Sequence, residues 1–119
     1  MLINDQEYLD IVRLVKDEIL HSQHRAAVSV NHELVMLYYH IGQIINAHKS
    51  WGNRFIDHLA SDIRLHFPQS KGYSVRNLKY MAKFAAMYEE EFVQTVSAQI
   101  PWSHNVALMD KVRDAEQRN

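Results

Sequence analysis

Residues 51–88, WGNRFIDHLASDIRLHFPQSKGYSVRNLKYMAKFAAMY, contain two helical patterns on either side of a short turn. In the first pattern, apolar residues recur at steps of three and four, which is typical of one helix face. These residues are Ile56, Leu59, Ile63 and Phe67. Asn53 can cap this helix, which we expect to run from Arg54 to about Phe67. The stretch predicts a helix-turn-helix unit over residues 53–88.

The turn between the two patterns is marked by residues with special backbone chemistry. Pro68 lacks an N–H donor and should end the first helix, and Gly72 permits a positive φ. Ser74 can accept a hydrogen bond from the first turn of the next helix, which we expect to run from Val75 to about Tyr88.

The same stretch carries a local excess of positive charge. The stretch contains six basic residues and only two acidic ones, Asp57 and Asp62. Its net charge is therefore 6 − 2 = +4, whereas the whole chain has a formal charge of −1. The six are Arg54, Arg64, Lys71, Arg76, Lys79 and Lys83. A basic patch in a nearly neutral chain indicates a polyanionic partner.

The second helix of the pair separates its side chains by chemistry. At about 100° per residue, Arg76, Lys79, Tyr80 and Lys83 share one face, and Leu78 and Met81 lie opposite. The second helix of a helix-turn-helix reader enters the major groove of duplex DNA, so we predict a nucleic-acid site there. It comprises Lys71, Ser74, Arg76, Asn77, Lys79, Tyr80 and Lys83. The alternatives are that the basic residues only solvate an exposed helix, or that they meet an acidic protein surface.

Residues 4–49 carry a long apolar stripe, interrupted for about one turn at residues 21–25. The pattern predicts either one very long helix or two helices broken there. A single helix would be too long for the rest of the chain to cover, so it implies a partner, and the alternative is an intrachain hairpin. The predicted homodimer interface consists of Val30, Leu34, Leu37, Tyr38, Ile41 and Ile45.

The C-terminal segment 92–113 is predicted to form short helices. Residues 92–100 form the first, which Pro101 closes, and Ser103 is the expected cap of the last. Trp102, beside this break, is expected to plug a helix junction, as is Trp51. The whole chain is therefore expected to be one all-α domain, residues 1–119, with a long N-terminal helix or helix pair, a helix-turn-helix unit and short C-terminal helices.

Several classes of protein are disfavoured by what the sequence lacks. The chain has no cysteine, which fits a reducing cytoplasm, and it shows neither a signal peptide nor an apolar run of membrane-spanning length. Its eight histidines lack the spacing of a metal site. No nucleophile motif or glycine-rich phosphate loop is present. We therefore expect no catalytic residues, no metal and no cofactor.

Four blocks in the same order resemble the N-terminal domain of the bacterial YhcG-like proteins. They are VNHELVMLYYHIGQII (30–45), WGNRFIDHLASDI (51–63), GYSVRNLKYMAKFA (72–85) and QIPWSHN (99–105). The last block carries Ser103 where the family usually has glycine. The resemblance extends over roughly residues 4–113.

The resemblance implies a helical module, of unknown function in itself, that binds DNA or dimerises on behalf of a nuclease. In that family the domain precedes a PD-(D/E)XK nuclease domain, which is absent from this chain and would follow residue 119. The nuclease's metal ligands have no counterparts here. The expected partners are therefore duplex DNA, a second copy of the chain and a nuclease domain in cis.

Overall fold

The computed structural model describes residues 5–48 and 54–118, and every regular element in these ranges is a helix. The α-helices are α1 (Asp5–Ala47), α2 (Phe55–His66), α3 (Val75–Met87), α4 (Glu90–Thr95) and α5 (Trp102–Arg118). The predicted helix over residues 92–100 is shorter than expected, because α4 ends at Thr95 and a 3-10 turn, Ser97–Gln99, follows it. The predicted all-α class with a long N-terminal helix is confirmed. Within the described ranges, no helix has both the length and the apolar character needed to cross a membrane.

Helix α1 is a single helix, so the interruption at residues 21–25 affects the apolar pattern and not the backbone. His, Ser, Gln and Arg are all tolerated inside helices, and none of them removes a backbone donor as proline would. The chain nevertheless divides into two compact units, Met1–Val30 and Asn31–Asn119. The boundary lies inside α1.

The first unit contains only exposed side chains over residues 5–30. Its large apolar residues are exposed to solvent as well. Leu14 and Val30, for example, are 71% and 69% exposed. Two ion pairs lie along the helix, Arg13–Asp10 at 3.9 Å and Arg25–Glu18 at 3.6 Å. Such exposed pairs contribute little to stability.

The second unit holds the core, and α3 lies at its centre. Leu78, Met81 and Phe84 of α3 are fully buried. They pack with residues of α1 and α5, among them Val35, Ile45 and Met109. Asn31 links the start of this unit to the 3-10 turn and the residue after it, since its Nδ2 donates to the carbonyl oxygens of Ala98 (3.1 Å) and Ile100 (3.0 Å).

Two residues of the predicted dimer interface belong to this core. Tyr38 is 5% exposed and Ile45 is 1% exposed, and both pack against residues of the same chain. They offer no surface to a second copy, so we remove them from the predicted interface. Ile41 is half-buried against the same cluster. Val30, Leu34 and Leu37 remain exposed, and dimerisation itself stays a prediction.

Tyr39 is buried beside Phe84, with the two ring centroids 6.0 Å apart. Its hydroxyl donates to the carbonyl oxygen of Tyr88 at 2.9 Å. Burial raises the pKa of Tyr39, and the negative charges of Glu90 and Glu89 raise it further. The phenol is thus held neutral because the folded chain shields it from water.

Gly42 lies at a close approach of α1 and α3. A Cβ at this position would collide with the backbone carbonyl of Met81 and with the Cβ of Ala85. Only glycine allows this approach, because any side chain would push the two helix backbones apart. This close contact between Gly42 and α3 is therefore intramolecular.

The turn after α2 has the predicted chemistry. Gly72 has a φ of 102°, and the Ser74 Oγ accepts the Asn77 backbone N–H at 3.1 Å, so the predicted cap of α3 is confirmed. The connection, residues 67–74, is roughly twice the 3–4 residues typical of a helix-turn-helix. The helix-turn-helix reading therefore stays a prediction.

Other predicted caps have different outcomes. Helix α5 begins at Trp102, so the prediction that Ser103 caps it is wrong. Pro101 precedes the helix, and its carbonyl oxygen accepts the backbone N–H groups of His104 and Asn105. Asn53 and Trp51 lie outside the described residues.

Candidate nucleic-acid interface

Helix α3 separates apolar and basic side chains as its sequence predicts. Its inner side is buried in the core at Leu78, Met81 and Ala82. On the other side, Arg76 and Lys79 are exposed and Lys83 is half-buried. The burial of the inner side holds α3 in place, so the three cations project from a rigid helix and not from a loop.

A fourth cation joins these three from the last helix. Arg113 of α5 lines the same concavity, which has a volume of about 560 Å³. We call Arg76, Lys79, Lys83 and Arg113 the basic face. Val75 and Tyr80 complete the lining. No local sequence pattern indicates Arg113, because only the packing of α5 beside α3 brings it to this surface.

Tyr80 holds the neighbouring side chains of the basic face in position through its hydroxyl and its ring. Its hydroxyl donates to Asp110 Oδ1 at 2.8 Å, which links α3 to α5. The Arg76 guanidinium carbon lies 5.1 Å from the Tyr80 ring centroid, and Arg76 Nη2 donates to the Tyr80 hydroxyl at 3.4 Å. A guanidinium stacked on an aromatic ring loses less side-chain entropy when it binds an anion.

The basic face carries uncompensated positive charge. Among the described residues, no carboxylate lies within ion-pair distance of its four cations. The Asp110 carboxylate accepts the Tyr80 hydroxyl and forms no ion pair with these cations in the described part of the chain. Several like charges around one concavity repel each other, and a bound polyanion relieves that repulsion.

Two of the predicted DNA-contacting residues have partners inside the fold. The Asn77 side chain donates to the Gly72 carbonyl oxygen and accepts the Trp102 Nε1–H at 2.8 Å. Ser74 uses its hydroxyl to cap α3. In this arrangement neither side chain is available to read a base, although their contact with DNA stays a prediction.

Lys71 lies apart from the basic face. It lines a smaller concavity of about 190 Å³ between the end of α2 and the turn, together with Arg64, Phe67 and Tyr73. The structure therefore brings Arg76, Lys79, Tyr80 and Lys83 together and adds Arg113. It places Lys71 at a second location and turns Asn77 inward.

Trp102 plugs the junction between α1, α3 and α5, as expected for an aromatic residue beside a helix break. It is half-buried, and its ring centroid lies 5.0 Å from the centroids of both Tyr38 and Phe84. Its hydrogen bond to Asn77 fixes the start of α5 against the start of α3. The two helices that carry the basic face are therefore held together at their N-terminal ends.

The described residues bring together no group of three His, Asp or Glu side chains that could hold a metal ion. One histidine contact links two helices, His40 Nε2 of α1 to Glu90 Oε1 of α4 at 3.2 Å. This pair is exposed and lies outside the basic face. The chemistry that the site supports is anion binding by fixed cations.

The chain matches a known protein family over most of its length. The family model described as "DUF1016 N-terminal domain" matches residues 14–119. This family forms the N-terminal part of YhcG-like proteins, so the resemblance found in the sequence blocks is confirmed. Neither the curated proteins nor the solved structures include a significant match.

Proposed function

This chain belongs to the DUF1016 N-terminal domain family, and from that premise we propose that it is a non-catalytic module that binds the sugar-phosphate backbone of duplex DNA. The observation that carries this proposal is the basic face, in which four cations from two helices line one concavity without a carboxylate partner among the described residues. In the family such a module would deliver a nuclease domain in cis to DNA.

Backbone binding is a better fit to these side chains than base reading. Lysine neutralises phosphate as a point charge, and arginine binds phosphate oxygens through paired N–H donors. Asn77 is the side chain best suited to reading adenine, but it is hydrogen-bonded within the fold. The Ser74 hydroxyl is likewise hydrogen-bonded within the fold. We therefore propose binding with little sequence preference.

The test is a titration of a labelled 20-base-pair duplex between 50 and 200 mM salt. Four phosphate contacts give a log–log salt slope of about −3.6, which is a loss of roughly 150-fold in affinity over this range. The Arg76/Lys79/Lys83→Ala variant should bind weakly and retain a slope of about −0.9 from Arg113.

The matched control removes the same charge from the first unit, where Arg13, Lys16 and Arg25 are exposed. The Arg13/Lys16/Arg25→Ala variant should keep the wild-type slope. Equal affinity of the two triple variants, or no binding by the wild type at 50 mM salt, would refute the proposal.

The second candidate function is protein interaction by self-association, with no direct DNA contact. The specific observation behind it is the exposure of the large apolar side chains of residues 5–30. Contiguous apolar surface of this kind marks interaction sites. Sedimentation of the chain at increasing concentration, with and without duplex DNA, distinguishes this function from DNA binding.

A further inference from the structure

We propose that the concavity beside Phe67 binds an unpaired nucleotide, so that the chain prefers duplex DNA that carries a single-stranded overhang. We call this site the Phe67 concavity. Its volume is about 190 Å³, and it lies between the end of α2 and the turn before α3. The inference rests on the proposed binding of the duplex backbone, and it adds a second site, its ligand and the form of DNA that fills both sites.

Phe67 exposes an aromatic ring from a fixed backbone position. The residue is 60% exposed, and within the described ranges it packs against neither cluster of buried core residues. Its backbone N–H donates to the Ile63 carbonyl oxygen at 2.8 Å, and its own carbonyl oxygen accepts the Ser70 N–H at 3.0 Å. The inner lining of the concavity is also fixed, because Ala60 is buried and Ile63 and Tyr73 pack against the core. The ring is therefore presented to solvent beside a preformed concavity.

Two cations flank the ring without a carboxylate to neutralise them. Arg64 and Lys71 line the Phe67 concavity, and both are exposed. In the described part of the chain, neither forms an ion pair. The two carboxylates of α2, Asp57 and Asp62, line other concavities. The Phe67 concavity thus combines an aromatic surface with uncompensated positive charge, and this combination fits an aromatic group that carries a phosphate.

A nucleotide has both of these features. Every base offers a flat π surface that stacks on an aromatic side chain, and cations beside the ring hold the phosphates of the strand. The concavity is smaller than the roughly 300–1,000 Å³ of a site for a drug-sized ligand, so it suits a single base. A base inside a duplex is stacked between its neighbours and cannot reach such a ring unless it leaves the stack. The ligand is therefore an unpaired nucleotide.

The Phe67 concavity adjoins the basic face at the start of α3. Ser74 lines the Phe67 concavity, and the next residue, Val75, lines the basic face. The cations of α3 begin at Arg76 and extend over about 10 Å of helix. A duplex whose backbone lies on the basic face can therefore pass an unpaired end across the start of α3 to Phe67.

The test compares the blunt duplex of the titration above with the same duplex that carries an overhang of about six nucleotides, added in either polarity. The wild-type chain should bind the overhang duplex at least about fivefold more tightly, because stacking of one base contributes roughly this factor or more. Phe67→Leu keeps an apolar side chain but has no aromatic face. It should bind the overhang duplex at least about fivefold more weakly than the wild type, with unchanged affinity for the blunt duplex.

The matched control is Leu65→Ala. Leu65 is 79% exposed on the same helix and lies outside the lining of the Phe67 concavity, so this variant should keep both affinities. Phe67→Trp retains an aromatic face and should keep the preference for the overhang. A fluorescent base analogue in the overhang should respond to stacking when the wild type binds, and it should not respond when Phe67→Leu binds.

The Arg64/Lys71→Ala variant tests the phosphate contacts separately. Each contact with a single strand contributes about −0.7 to the log–log salt slope, so two contacts should make the wild-type slope steeper by about 1.4 for the overhang duplex than for the blunt one. In the variant the two slopes should be equal, whereas Phe67→Leu should keep their difference.

The possible results distinguish this inference from the proposed function. Equal affinity of the wild type for both duplexes, or overhang binding that Phe67→Leu does not weaken, would overturn the inference and leave duplex binding intact. A wild type that binds neither duplex would overturn both. All three substituted positions are exposed, so circular dichroism should show wild-type helix content in every variant.

Discussion

Replacing Gly42 by alanine should destabilise the fold, although alanine is the better helix former. Gly42 lies inside α1 and is buried against α3. An added Cβ would overlap the carbonyl group of Met81 and press on the Cβ of Ala85. The carbonyl belongs to the backbone of α3, so it cannot rotate away as the end of a flexible side chain could. Relief requires that α1 and α3 move apart and loosen the residues packed between them.

The magnitude follows from two opposing contributions. In a helix interior, alanine is favoured over glycine by about 1 kcal/mol. Overpacking of a core costs about 1–3 kcal/mol, and a collision with backbone belongs at or above the upper end of that range. We therefore expect the free energy of unfolding to fall by about 2 kcal/mol, with an unchanged dependence on denaturant concentration.

Urea unfolding followed by circular dichroism measures this change. The neighbouring exposed residue Gln43 provides the control, because the difference between Gln43→Ala and Gln43→Gly reports the helix preference alone. At position 43 alanine should be more stable than glycine by about 1 kcal/mol. If Gly42→Ala were as stable as the wild type or more stable, the close approach of α1 and α3 would be wrong.

Three further predictions concern single side chains. Asn77→Ala should lower the free energy of unfolding by about 2 kcal/mol in urea titrations, since it leaves the Trp102 N–H and the Gly72 carbonyl without their partner; a loss below about 0.5 kcal/mol would contradict this role. The raised pKa of Tyr39 predicts stability that is complete below pH 10 and declines above it, because the unfolded chain loses the proton first. Tyr39→Phe should make that alkaline decline shallower in pH-dependent urea unfolding, and an equally steep decline would refute the assignment. Arg113→Ala should reduce the salt slope of duplex binding by about 0.9, whereas Lys111→Ala on the same helix should leave it unchanged.

Local patterns predicted much of the fold because their causes are local. The steps of three and four in the apolar residues predicted the helices, and the cap by Ser74 and the positive φ of Gly72 depend only on nearby backbone. The basic side of α3 was predictable for the same reason, since residues at helical spacing share a face wherever the helix lies.

The remainder depended on tertiary packing. An apolar stripe carries no information about which surface covers it, so the sequence pattern predicts a dimer interface at Tyr38 and Ile45 although the core of their own chain buries both. The hydrogen bond between Asn77 and Trp102 has no local signal either, because the two residues are 25 positions apart in sequence. Arg113 was missed because only the position of α5 places it on the basic face.

The position of Asn31 within α1 has a consequence for hydrogen exchange. Residues before it can lose helical structure without exposing any buried side chain, whereas residues after it cannot open without disturbing the core and the two hydrogen bonds of Asn31. One uninterrupted helix should therefore show two levels of amide protection, with a step near residue 31. Protection before the step should increase with protein concentration if a second copy covers that segment, so exchange would map the association residue by residue.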